Sequence, residues 1–165
     1  MFASFTKDVR GVDLSFSLIS SWDAVALIVI ELPSLQRLSL KYVLVYMRLT
    51  HTVHRLGVSN NRLQPLSNLR LGRDAFSHLT ELQLNGTLMT WQATMDVVCL
   101  MPCLQRLESG YNRLQYLSSL PQNHPELVIT TLNLDSNQLS DWVETCQALV
   151  SFHKYSYHLT MCPLR

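Results

Sequence analysis

A chain of 165 residues can hold one domain with a sizeable core, or roughly six stacked units of about 25 residues each. Its formal net charge is only +1 and its Lys and Arg are scattered, which argues against a nucleic-acid surface; the longest apolar runs, Ala24 to Ile30 and Tyr42 to Met47, fall far short of the roughly 20 residues that a membrane span needs. Charged residues make up 15% against 47% hydrophobic, so either much of the surface is covered or the chain is part of something larger.

The first eight residues carry Lys7 and Asp8 and no apolar h-region, so 1–8 reads as a tail and secretion is not expected. From Val9 the chain follows the skeleton L-x-x-L-x-L-x-x-N-x-L, one coil of a leucine-rich repeat. The last two leucines before the Asn flank one outward residue, as strand residues alternate. The Asn then turns the chain, its amide able to bond backbone groups of its own coil and of the adjoining one. One coil cannot bury its own apolar edge, so the skeleton calls for copies.

The first copy is Val9, Val12, Leu14, Ser17 and Ile19, after which Ser20 or Ser21 caps a helix that Pro33 ends. The second begins at Leu35, Leu38 and Leu40 but has Val43 in the Asn place, and 41–52 is expected to be a compressed turn or a local defect. The third, Val53, Leu56, Val58, Asn61 and Leu63, starts only 18 residues after the second, and Pro65, Asn68, Gly72 and Asp74 make a loose connection behind it. The fourth, Leu79, Leu82, Leu84, Thr87 and Met89, restores a spacing of 26, and Thr90 caps a helix that starts near Trp91 and stops at Pro102. The fifth is Leu104, Leu107, Ser109, Asn112 and Leu114; Ser109 in a core place gives up roughly 2 to 4 kcal/mol of packing unless a neighbour fills the space. A polar stretch from Ser118 to Pro125 leads to the sixth, Ile129, Leu132, Leu134, Asn137 and Leu139, followed by a helix capped by Ser140 or Asp141, the latter forming a capping box with Glu144. No seventh skeleton follows, so 150–165 reads as an irregular tail, and an uncapped solenoid end suggests a segment of a longer protein. The expected fold is an α/β leucine-rich repeat solenoid of about six repeats over 9–149, a curved parallel sheet with helices and loops on the convex side and marginal stability.

No enzyme constellation stands out. The six histidines show no H-E-x-x-H, the five glycines form no phosphate loop, and Cys99, Cys103, Cys146 and Cys162 form no C-x-x-C pair. A non-enzymatic protein without cofactor or metal is expected, its thiols reduced and mostly buried in the cytoplasm.

Trp22, Trp91 and Trp142 each follow the end of a repeat skeleton by two or three residues. The plain reading is that each ring covers the core edge at a helix start; the alternative is an exposed aromatic patch for a partner. Strand alternation puts Arg37, Arg55, Glu81, Arg106 and Thr131 in one outward row, and Asp13, Ser39, Gly57, Gln83, Glu108 and Asn133 in the next. This mixed polar face is a solvated sheet surface or a docking surface for protein. The candidate binding set is Arg37, Arg55, Glu81, Gln83, Arg106, Glu108 and Asn133, with the arginines suited to carboxylates.

The phrases VRGVDLSFSLISSWDAVALIVIELPSLQRLSL, LTELQLNGTLMTWQATMDVVCLMPCLQRLESGYNRL and TLNLDSNQLSDW resemble the leucine-rich repeat region of the tubulin-folding cofactor E family, from about Val9 to Leu149. The tryptophan just after the repeat turn is the most specific part of the likeness. In that family the region lies between a CAP-Gly domain, which engages tubulin's acidic tail, and a ubiquitin-like domain. The resemblance implies α-tubulin or another tubulin-folding cofactor as partner, a role in heterodimer assembly, and a cytoplasmic, cytoskeleton-associated location, with neither nucleic acid nor membrane. Neither flanking domain accompanies the repeats, and 41–52 and the residues past Val150 depart from the pattern, which suggests a truncated chain or retained intron sequence. The alternative is a generic intracellular leucine-rich repeat adaptor of phosphatase-regulatory or spliceosomal type.

Overall fold

The computed structural model describes residues 6–15, 31–40, 53–60, 76–118, 127–150 and 158–160. Within them the second apolar residue of each skeleton, which points inward, and its two outward neighbours form strands of three residues: β1 (Gly11–Asp13), β2 (Arg37–Ser39), β3 (Arg55–Gly57), β4 (Glu81–Gln83), β5 (Arg106–Glu108) and β6 (Thr131–Asn133). A further strand, β7 (His158–Thr160), completes a sheet in which every neighbour is sequential and parallel. This is the open, stepwise topology of a solenoid, in which each coil contacts only its neighbours.

Triplets this short are held by more than strand pairing. The carbonyl before each strand accepts two successive N–H groups from the next coil: Arg10 from Gln36 and Arg37, Gln36 from His54 and Arg55, His54 from Thr80 and Glu81, Thr80 from Gln105 and Arg106, and Gln105 from Thr130 and Thr131. Past the strands the ladder continues, with Leu40 donating to Gly57, Val58 to Gln83 and Leu84 to Glu108. The register is unbroken across the short second repeat, since Leu38 pairs with Leu56 and Leu56 with Leu82. The 18-residue spacing therefore still advances the chain by one full coil; the expected defect at 41–52, the helix after Ser20 or Ser21 and the connection around Pro65 lie outside the described residues.

The core is the set of inward rows. Leu35, Val53, Leu79, Leu104 and Ile129 form one row, Leu38, Leu56, Leu82, Leu107 and Leu132 the next, and Leu40, Val58, Leu84 and Leu134 the third, all buried. Burial of each such side chain contributes about 1.5 to 3 kcal/mol. At the start of the stack Val9, Val12 and Leu14 are only partly buried, as an end row with a neighbour on one described side must be.

Two helices follow the fourth and sixth turns. Thr90 caps α1 (Trp91–Val98), its hydroxyl accepting the Ala93 N–H at 3.2 Å, and Trp91, Thr94, Met95 and Val98 recur at helical spacing on the buried side. Of the two expected caps for α2 (Trp142–Val150), Asp141 holds the Glu144 N–H at 2.9 Å. The structure differs from the expected irregular tail at β7, where Leu159 pairs in register with Leu132. A strand of three residues needs only backbone pairing, so it forms without the Asn turn that marks the other coils.

Candidate functional site

The two faces of the sheet divide the work. The inward rows pack under the helices, and the outward residues emerge in two rows that follow the strand register: Gly11, Arg37, Arg55, Glu81, Arg106 and Thr131 in one, and Asp13, Ser39, Gly57, Gln83, Glu108 and Asn133 in the other. Every candidate residue named from the sequence lies on this one face. With strands about 4.8 Å apart, Arg37 and Arg106 stand roughly 14 Å from each other along it.

The side chains are not equally available. Arg55 Nε lies 3.3 Å from Glu81 Oε2, with Arg55 mostly in water and Glu81 largely covered. A pair this exposed is worth under about 1 kcal/mol, so it orients more than it stabilises. Gln83 Nε2 donates to the other Glu81 oxygen at 2.9 Å, and Asn85 Nδ2 donates to Glu108 Oε2 at 3.1 Å. Asn133 turns back on its own chain, its Oδ1 accepting the Asp135 N–H at 2.8 Å. Arg37 and Arg106 are exposed and hold no ion pair among the described residues. Of the seven candidates, these two guanidinium groups are the ones left to meet an outside carboxylate.

Sequence spacing did not reveal the shape of this surface. Around β1 to β4 the face sinks into an open depression lined by Gly11, Asp13, Arg37, Arg55, Gly57 and Gln83 among others. The glycines make it: a Cβ on Gly11 meets Arg37 Nη2 at 3.2 Å, and one on Gly57 meets Gln83 Oε1 at 3.3 Å. A glycine in place of a β-former inside the triplet RLG was the available signal.

The turns behind this face show what keeps it aligned. Asn137 donates to Ser109 O (2.9 Å) and Leu134 O (2.8 Å), and its Oδ1 accepts from Asn112 N (3.0 Å) and Leu114 N (3.1 Å). Asn112 repeats this one coil earlier, donating to Leu84 O and Ser109 Oγ and accepting from Leu88 N. Ser109, fully buried, is therefore no void in the packing but a hydrogen-bonded member of the ladder. Thr87 stands in for Asn in the fourth turn, its hydroxyl 2.9 Å from Leu84 O and 3.1 Å from Asn112 Oδ1. The residue before each turn position, Asn60, Gly86, Tyr111 and Ser136, adopts a positive φ of 56° to 66°.

The tryptophans divide between the two readings. Trp91 is 2% exposed and its Nε1–H donates to Ser118 O at 2.9 Å, closing the core edge. Trp142, at the equivalent helix start, is 42% exposed beside Val143. Trp22 lies outside the described residues. Among the described residues no helix is long and apolar enough to cross a membrane.

Set against known proteins, the chain is 30% identical over 135 residues to tubulin-specific chaperone E of Danio rerio, and 28% identical over 134 residues to tubulin-specific chaperone E of Xenopus laevis. These matches take in 82% and 81% of this chain, and 22% of each relative. The chain thus spans about a fifth of the length of the curated relatives it matches, and it is similar to a region of that protein. No family model matches the chain, and no solved structure matches it.

Proposed function

We propose that this chain is a non-enzymatic docking module that works in the tubulin-folding pathway, engaging α-tubulin or a partner cofactor with the polar face of its sheet. The observation that carries this reading is the likeness to tubulin-specific chaperone E over most of the chain. The geometry supports it by giving that face a fixed register and two exposed guanidinium groups, Arg37 and Arg106, without an ion pair among the described residues; guanidinium groups recognise carboxylates with planar, paired hydrogen bonds. Arg55, Glu81, Gln83, Glu108 and Asn133 form the polar surround, Arg55 and Gln83 held on Glu81, Glu108 by Asn85 and Asn133 by the Asp135 N–H, so that docking orders few side chains. Such a module acts in the cytoplasm, in association with the cytoskeleton.

A pull-down with purified tubulin tests the reading. The chain, folded by circular dichroism, is expected to retain tubulin on the resin. A folded chain that retains none, under conditions where a full-length tubulin-specific chaperone E does, overturns it. So does a partner screen that returns phosphatase or spliceosomal proteins and no tubulin.

A further inference from the structure

Among the asparagines of this chain, Asn85 is the one followed by glycine. Asn-Gly is the dipeptide most prone to lose its side-chain amide, because a glycine without Cβ lets its backbone nitrogen approach the preceding side-chain carbon. The Gly86 nitrogen attacks Asn85 Cγ, the Cγ–N bond breaks, and ammonia leaves with the proton given up by the Gly86 N–H. Water then opens the resulting succinimide to aspartate or isoaspartate. The reaction needs no co-reactant other than water.

The fold closes this reaction with three hydrogen bonds. Gly110 N–H donates to Asn85 Oδ1 at 2.7 Å, Asn85 Nδ2 donates to Glu108 Oε2 at 3.1 Å, and the attacking nitrogen is itself engaged, Gly86 N–H donating to Gly110 O at 2.9 Å. All three partners belong to the fifth repeat, so stacking of the fifth coil on the fourth protects the site and separation of the two releases all three bonds at once. Nor can the glycine be exchanged cheaply, since Gly86 has φ +66° and a Cβ there falls 2.5 Å from Asn60 Oδ1.

The product does not fit back. Aspartate at 85 still accepts from Gly110, but it loses the donor to Glu108 and sets a second carboxylate where 3.1 Å separated the amide from Glu108. Isoaspartate also reroutes the backbone through Cβ and Cγ, one methylene longer, and turns the Asn85 carbonyl that accepts the Asn60 N–H at 2.7 Å into a pendant carboxylate no longer bonded to the Gly86 nitrogen. We propose that Asn85–Gly86 is a deamidation site gated by the interface between the fourth and fifth repeats, closed while they stack, and that its product holds them apart once formed.

Peptide mass spectrometry of the whole chain, incubated folded and in urea, tests the proposal. In urea Asn85 is expected to deamidate ahead of the other asparagines, and in the folded chain at least about a hundredfold more slowly, because only the opened fraction reacts. Equal rates in the two states, or an unfolded chain in which Asn85 does not lead, overturn it. The latch is read from Asn85→Asp, expected to unfold at lower urea concentration, with at least half of the loss recovered in Asn85→Asp/Glu108→Gln. An Asn85→Asp chain as stable as its parent, or no recovery in the double variant, overturns that half. If Asn85→Asp does not fold at all, the ratio of rates measured on the unaltered chain still decides the gating.

Discussion

Replacing Asn112 by Ala removes the centre of the turn ladder. The side chain is 5% exposed; it donates to Leu84 O at 2.9 Å and Ser109 Oγ at 3.0 Å, and accepts from Leu88 N at 2.8 Å and Thr87 Oγ1 at 3.1 Å. Truncation leaves the Leu88 N–H without its acceptor, while Leu84 O keeps the Thr87 hydroxyl at 2.9 Å. One orphaned backbone donor costs about 1 to 3 kcal/mol, and the lost net worth of the remaining bonds adds about 1, so Asn112→Ala is expected to destabilise by about 2 to 4 kcal/mol. For a chain of this size that corresponds to a fall in Tm of about 5 to 15 °C. Urea unfolding followed by circular dichroism reads the change, with Gln138→Ala as control, an exposed residue of the next turn whose backbone bond to Leu114 O is unaffected. If Asn112→Ala costs less than about 0.5 kcal/mol, within the ordinary range of surface substitutions, the ladder is not what holds the repeats in register.

Other consequences follow from single positions. Tyr111 is exposed with φ 57°, in the row that Gly86 occupies one repeat earlier, so Tyr111→Gly is expected to raise stability by about 0.5 to 1 kcal/mol; a loss of that size refutes the backbone account. Gly110→Ala places a Cβ 3.0 Å from Asp135 O and 3.2 Å from Asn85 Oδ1, and a cost of about 1 to 3 kcal/mol is expected by thermal melting; a neutral result shows that the coils can part to admit a methyl group. Burial, and then the nearby Asp96 carboxylate, push the Cys99 thiol above its ordinary pKa, whereas Cys103 and Cys146 are exposed. Thiolate at Cys99 therefore forms only at higher pH, and iodoacetamide is expected to label it after the two exposed thiols, its rate rising with pH. Labelling of Cys99 ahead of both contradicts this environment.

The repeats were legible because the skeleton records the physics of the coil directly. Leu38, Leu56, Leu82, Leu107 and Leu132 recur at the one inward place of each triplet, and their flanking residues fall into the two outward rows by alternation alone. The short second repeat shows that register follows the skeleton rather than the length between skeletons. What the pattern could not carry was polar compensation. Ser109 reads as a packing defect until Asn112 is seen bonding its hydroxyl, and β7 has no turn asparagine to announce it. At the candidate site positions were legible and availability was not. Arg37 and Arg55 look alike in the row, but only the structure shows Arg55 paired with Glu81, and Glu108 and Asn133 spent on internal bonds. Trp91 and Trp142 share a place in the repeat and differ in exposure, because α1 buries most of its inward residues and α2 buries Thr145 and Ala148.

The measurement closest to the central claim is the affinity of purified tubulin for this chain and for its Arg37→Glu/Arg106→Glu variant, both shown to be folded by circular dichroism. The two arginines stand exposed on one face and hold no ion pair among the described residues, so reversing them is expected to leave folding intact and weaken binding at least about tenfold, with the parent's affinity falling as salt rises. Binding unchanged by the double reversal, or absent from the folded parent, contradicts a docking role for this face.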